Sequence, residues 1–111
     1  MSSRPLTINE LQTANYERNK HWDPAEVLNG AFFATELAGE VGEACNIVKK
    51  LERERLGVPG SRDTIEHLAE ELADVLICVC LLANYYDIEL NDITRDKFNR
   101  SSLKLKFPVL L

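Results

Sequence analysis

Apolar residues recur at three- and four-residue steps along most of the chain, with few interruptions. That period belongs to helices with one buried face. Thr7 and Glu10 form a capping box, a hydroxyl for an orphan N–H and a carboxylate to reach back, so a first helix is predicted to run from there to about Lys20. His21-Trp22-Asp23-Pro24 breaks the pattern. Asp23 and Pro24 suit the cap and first position of a second helix, irregular at Asn29-Gly30 and continuing to about Arg55. Gly57 to Ser61 is the clearest loop. Asp63 with Glu66 opens a third helix that meets no breaker before Tyr86, and Asn91 is placed to cap a short last helix through about Asn99, ahead of an irregular tail containing Phe107-Pro108. In the third helix Leu68, Leu72, Val75, Leu76, Val79 and Leu82 form the main core stripe, and from Val75 onward every side is apolar, as at the centre of a bundle or a subunit interface. The expected fold is all-α: a four-helix bundle, two helices long and two short, completed by oligomerisation.

At 111 residues the chain has room for one domain, residues 1–111. Its longest uncharged run, Val75 to Tyr86, is far short of the roughly 20 residues that span a bilayer, so no membrane association is expected. No apolar stretch follows the amino terminus, and no cleaved secretory signal is expected. Cys45, Cys78 and Cys80 lie within apolar runs without metal-site spacing, which suits reduced thiols and a cytoplasmic location. A net charge of -5 argues against nucleic acid as a partner, because phosphate backbones demand a basic surface. The acidity is local. Glu36, Glu40, Glu43, Glu66, Glu70, Glu71 and Asp74 hold seven of the 18 acids, leaving eleven acids against 13 basic side chains elsewhere.

Glu36, Glu40 and Glu43 fall in one narrow sector of the second helix, since positions i, i+4 and i+7 stack. Like charges so placed destabilise a helix by a few tenths of a kcal/mol per pair, and no adjoining Lys or Arg relieves them. In the third helix Glu70, Glu71 and Asp74 enter a segment otherwise too apolar for a plain surface helix. Half-buried carboxylates require protons, cations or a metal, and oxygen-only ligands favour Mg²⁺ or Mn²⁺ over Zn²⁺. His67 flanks Glu70 and Asp74, but no Glu-x-x-His pair exists, so the di-iron pattern of ferritin-like bundles is missing. The competing reading is that the acids are the solvated faces of two amphipathic helices.

Glu-Leu-Ala-Gly-Glu-Val-Gly-Glu-Ala at 36–44 and Glu-Glu-Leu-Ala-Asp-Val at 70–75 resemble the MazG-type branch of the all-α nucleoside triphosphate pyrophosphohydrolases, whose signature is E-x-x-E, a spacer, then E-x-x-D. Glu40 and Glu43 match the first half, Glu71 and Asp74 the second, and the likeness extends from about Phe32 through Lys104. The resemblance implies hydrolysis of a nucleoside triphosphate to the monophosphate and pyrophosphate, with Mg²⁺ held by these four acids and Mn²⁺ a substitute. It implies Glu43, Glu71 and Asp74 as metal ligands, and Glu40 as a ligand or the group that deprotonates water. Where the family pattern often has a further acid, this chain has Gly39; Glu36, one turn earlier, is the candidate replacement and second base, or an ordinary exposed side chain. Lys97 and Asn99 match family positions near the triphosphate, Lys104 adds charge there, and Lys50 and Arg53 are phosphate candidates or solubilising cations. Trp22, with His21 beside it, is a stacking partner for the base or a packing anchor. The resemblance also implies a homodimer or homotetramer. The expected role is housecleaning of the nucleotide pool, acting on deoxynucleotides or non-standard nucleotides; the alternative is a non-catalytic helical module that binds metal structurally or acts as a regulatory partner.

Overall fold

The computed structural model describes residues 4–111, and these form four helices: α1 (Ile8–Trp22), α2 (Gly30–Arg55), α3 (Ile65–Tyr85) and α4 (Leu90–Lys104). No strand occurs among the described residues, which makes the fold all-α as expected. α2 packs along α3, α1 lies across α3, and α4 touches α1.

Local chemistry sets the helix boundaries. Thr7 caps α1 by accepting from the Glu10 N–H at 3.1 Å, while the Glu10 carboxylate pairs with Arg4 at 2.7 Å instead of reaching back. α2 begins later than the sequence suggested. Asp23 does not cap it: its carboxylate accepts from the N–H groups of Val27 (2.9 Å) and Leu28 (2.8 Å), folding residues 23–28 into a compact turn in which Glu26 takes a φ of 54°. Asn29 is the actual cap, accepting from Phe32 N–H at 3.0 Å, and what looked like an irregularity is the helix start. Gly30 is required there, because a Cβ would come within 2.2 Å of the Tyr86 hydroxyl.

α3 is capped by Thr64 rather than Asp63, whose carboxylate accepts instead from the Thr64 N–H and the His67 ring. α4 lacks a capping side chain of its own. Gln12 on α1 supplies it: Oε1 accepts from the Leu90 N–H at 2.9 Å, while Nε2 donates to Asn84 and to the Ile88 carbonyl, so both N–H groups and the oxygen of this buried amide are bonded. The helix runs past Asn99 to Lys104, and the tail folds back on it through two hydrogen bonds between the Asn99 carboxamide and the Leu111 backbone.

The buried apolar side chains are Phe33, Ala44 and Ile47 of α2 with Cys78, Cys80 and Ala83 of α3. The anticipated stripe is only partly covered, since Leu72 and Leu76 remain 54% and 53% exposed. Accessible surface totals 8342 Å², against about 6200 Å² for a compact monomer of 12.6 kDa. The radius of gyration is 17.3 Å, where about 13 Å is usual for this length. No helix among the described residues is long and apolar enough to cross a membrane.

Candidate metal centre and adjoining cavity

The packing of α2 on α3 brings the two acidic stripes face to face. Glu40, Glu43 and Glu71 each offer a carboxylate oxygen, and these atoms lie within 4.8 Å of one another. Glu43 is exposed, whereas Glu40 and Glu71 are half-buried, and Oε2 of each is shut off from water without a hydrogen-bond partner. Loss of water, the facing Glu71 carboxyl and the charges of Glu43 and Asp74, in that order, push the Glu40 carboxyl up from 4.5 to about 7. Orphaned buried oxygens in a trio of acids fit a hard divalent cation, which would satisfy the lone pairs and cancel the repulsion.

A cavity of about 470 Å³ opens beside this cluster. Glu36, Glu40 and Asp74 stand at its acidic end; Trp22, Phe32, Phe33, Ile77 and Leu81 form apolar walls, and Arg18 and Asn19 of α1 add polar groups. Glu40 thus belongs to both features. Glu36 also accepts from the Cys78 thiol at 3.5 Å, and burial and then Glu36 push that thiol up to about 12, leaving it un-ionised and inert. Next to Gly39 there is open space where a further acid would stand.

The other sequence candidates divide. Trp22 lines the cavity while 75% exposed, so it does not anchor the packing. His21 is exposed and is not part of the cavity wall. Lys50 instead lies 3.7 Å from Asp63, and Arg53 donates to the Ser61 carbonyl (3.0 Å) and hydroxyl (3.2 Å), so both hold the α2–α3 loop. Lys97 lies in a separate depression with Ile93, Thr94 and Phe98, Asn99 is committed to Leu111, and Lys104 is exposed at the end of α4. The single chain does not bring these three to the acids, because α4 docks on α1 and not on the carboxylate face of α2 and α3.

Two groups went unnoticed in the sequence. Arg18 and Asn19 carry no motif. The other is a run at steps of four from the loop into α3: Asp63 accepts from His67 Nδ1 at 2.8 Å, and His67 Nε2 is 3.4 Å from Glu71 Oε1. Asp63, ahead of the charge of Glu71, raises the imidazole's affinity for its proton. The Thr64 N–H and then His67 hold Asp63 below its ordinary value.

Four helices with facing E-x-x-E and E-x-x-D steps define a class, and comparison with known families agrees: the MazG nucleotide pyrophosphohydrolase domain matches residues 29–102. The chain belongs to that family. The match begins at the Asn29 cap and covers α2, α3 and most of α4, leaving α1 and Trp22 outside it. Among curated proteins, the Gene 37 protein of Mycobacterium phage L5 is 39% identical over 64 residues, 58% of this chain and 55% of that protein. The chain therefore spans about half the length of this relative. No solved structure matches it.

Proposed function

We propose that the chain hydrolyses nucleoside triphosphates, deoxynucleotides or non-standard nucleotides among them, to the monophosphate and pyrophosphate in the cytoplasm, removing unwanted nucleotides from the pool. The observation that carries this reading is Glu40, shared by a carboxylate trio suited to metal and a cavity with aromatic walls. A structural metal site needs no such cavity, which disfavours the non-catalytic module.

Glu43, Glu71 and Asp74, with Glu40, are the residues that would hold Mg²⁺. When bound, the ion supplies charge neutralisation for the polyphosphate and Lewis-acid polarisation of a phosphoryl group. Glu40 belongs to both the carboxylate trio and the cavity wall, so it would orient a water and accept its proton, with Glu36 one turn along the same wall as the next acceptor. Trp22 and Phe32, both exposed on the cavity wall, offer faces for the base, and the Arg18 guanidinium and Asn19 amide offer hydrogen bonds to its edge. The excess surface and the bare Leu72 and Leu76 support a homodimer or homotetramer, in which the α4 cations Lys97 and Lys104 reach the site of a neighbouring copy.

Incubation with Mg²⁺ and a panel of ribo- and deoxyribonucleoside triphosphates tests this. Monophosphate plus pyrophosphate, abolished by a chelator, is the expected outcome. Release of orthophosphate, or no turnover with any nucleotide, would refute it.

A further inference from the structure

Beside the cavity that Trp22 lines lies a smaller one, of about 250 Å³. Asn19 of α1, Leu28 of the turn, Phe33 of α2 and Leu81 of α3 line both. Four separate segments supply one residue each, so these residues ring a junction between the cavities and do not form a partition. Phe33 and Leu81 stand about two turns of helix, or roughly 11 Å, along α2 and α3 from Glu40 and Asp74. The smaller cavity continues from there, walled by Tyr16 and Tyr85, the latter ring 6.1 Å from that of Phe33. At about 250 Å³ it falls below the roughly 300–1,000 Å³ of an independent ligand site, but as an annex to the larger cavity it needs no ligand of its own.

Most polar groups of the annex are engaged within the protein. Both Asp23 oxygens accept from backbone N–H groups. The Asn84 carboxamide donates to the Gln12 carbonyl at 2.9 Å and accepts from the Gln12 side chain at 3.0 Å. The Lys20 ammonium sits 3.4 Å from Glu17 and 4.5 Å over the Tyr16 ring. Glu26 is the exception, and it is exposed to solvent. What the annex offers an occupant is chiefly aromatic and aliphatic surface. A sugar or a charged group would lose water there and find few free partners, whereas an alkyl or aryl group gains from leaving water. We propose that the annex receives an apolar substituent carried on the nucleobase, so that the preferred substrates are nucleoside triphosphates with an alkylated or arylated base. This rests on the hydrolysis reading given under Proposed function: with the triphosphate at the acids and the base against Trp22 and Phe32, the junction lies at the far edge of the base.

The test is pyrophosphate release by the purified full chain in Mg²⁺, in wild type and Tyr16→Ala. Two pairs of substrates are compared by kcat/KM: deoxyuridine triphosphate with its 5-propynyl derivative, and adenosine triphosphate with a derivative bearing a benzyl group on the exocyclic amine. Each methylene moved out of water is worth about fourfold, so at least one derivative is expected to exceed its parent by roughly 10-fold or more. Tyr16 lines the annex and not the larger cavity, and at 53% exposed its truncation spares the core, which circular dichroism checks. In Tyr16→Ala the ratio of derivative to parent is expected to fall by about threefold or more. If neither derivative is turned over better than its parent, while the parents are hydrolysed to pyrophosphate, this inference alone is overturned. A preference that survives unchanged in Tyr16→Ala also overturns it, since the substituent would then lie elsewhere. Wild type that hydrolyses none of the four nucleotides overturns the hydrolysis reading and this inference with it.

Discussion

Replacing Glu43 with glutamine should stabilise the metal-free protein and destabilise it relative to wild type once metal is present. The carboxylate oxygens of Glu40, Glu43 and Glu71 lie within 4.8 Å of one another. At that separation two unit charges repel by about 0.9 kcal/mol in water and about 3.5 kcal/mol at an effective dielectric near 20. Glu43 is the exposed member, so the lower figure governs its share. Glu40, with its carboxyl at about 7, carries only part of a charge near neutrality, leaving Glu71 as the main repulsive neighbour. The gain is then about 1 kcal/mol, or roughly 4 °C in melting temperature for a chain of this size. A ligand at a hundredfold excess over its dissociation constant stabilises the wild type by about 2.7 kcal/mol, roughly 10 °C on the same scale. Far-UV circular dichroism melts in chelator and in millimolar Mg²⁺, at one protein concentration, read both. The order of the two proteins should invert between the conditions. A glutamine variant that melts below wild type in chelator, or a wild type indifferent to Mg²⁺, would show that the trio is neither strained by charge nor relieved by metal.

Trp22→Ala should raise KM by roughly 5- to 100-fold, the range for loss of one base stack, with thermal stability unchanged because the side chain is 75% exposed; a lowered melting temperature would return Trp22 to a packing role. With the Glu40 carboxyl raised from 4.5 to about 7, the folded protein holds a proton that the unfolded chain releases across that window. Metal-free stability should therefore fall as pH rises from 4.5 to about 7, more steeply than in Glu40→Gln, and equal slopes by thermal melting would contradict the shift. Leu76→Glu should dissociate the oligomer in analytical ultracentrifugation, since that side chain is 53% exposed in the single chain; a monomeric wild type would refute the assembly.

The gathering of Glu40, Glu43 and Glu71 was legible because helical periodicity alone stacks Glu36, Glu40 and Glu43, and the apolar character of the segment after Val75 pointed to Glu71 and Asp74 as facing them; Asp74 is exposed and stands outside the trio. The start of α2 was not, because Asp23 and Asn29 are both good caps and only the turn between them decides; Asp23 spends its oxygens on Val27 and Leu28 instead. The cap of α4 comes from Gln12, far away in sequence, and no local pattern carries such a bond. The resemblance put Lys97 and Asn99 near the triphosphate, but their placement depends on which helix α4 docks against, and that is a tertiary fact. The step-of-four run through Asp63, His67 and Glu71 is present in the sequence, but its spacing is not that of a Glu-x-x-His pair and marks no site by itself.

The turn between α1 and α2 separates two duties. Asp23, only 6% exposed, locks the backbone, and Asn29 starts the next helix, while Trp22 and Phe32 project from either side of that fixed frame onto the cavity wall. Both aromatic residues are substantially exposed, so they contribute little to the core. Their identities can drift under selection without loosening the scaffold. A lineage carrying this fold is thus free to reshape the cavity wall by changing surface residues alone, with the carboxylates on α2 and α3 left untouched.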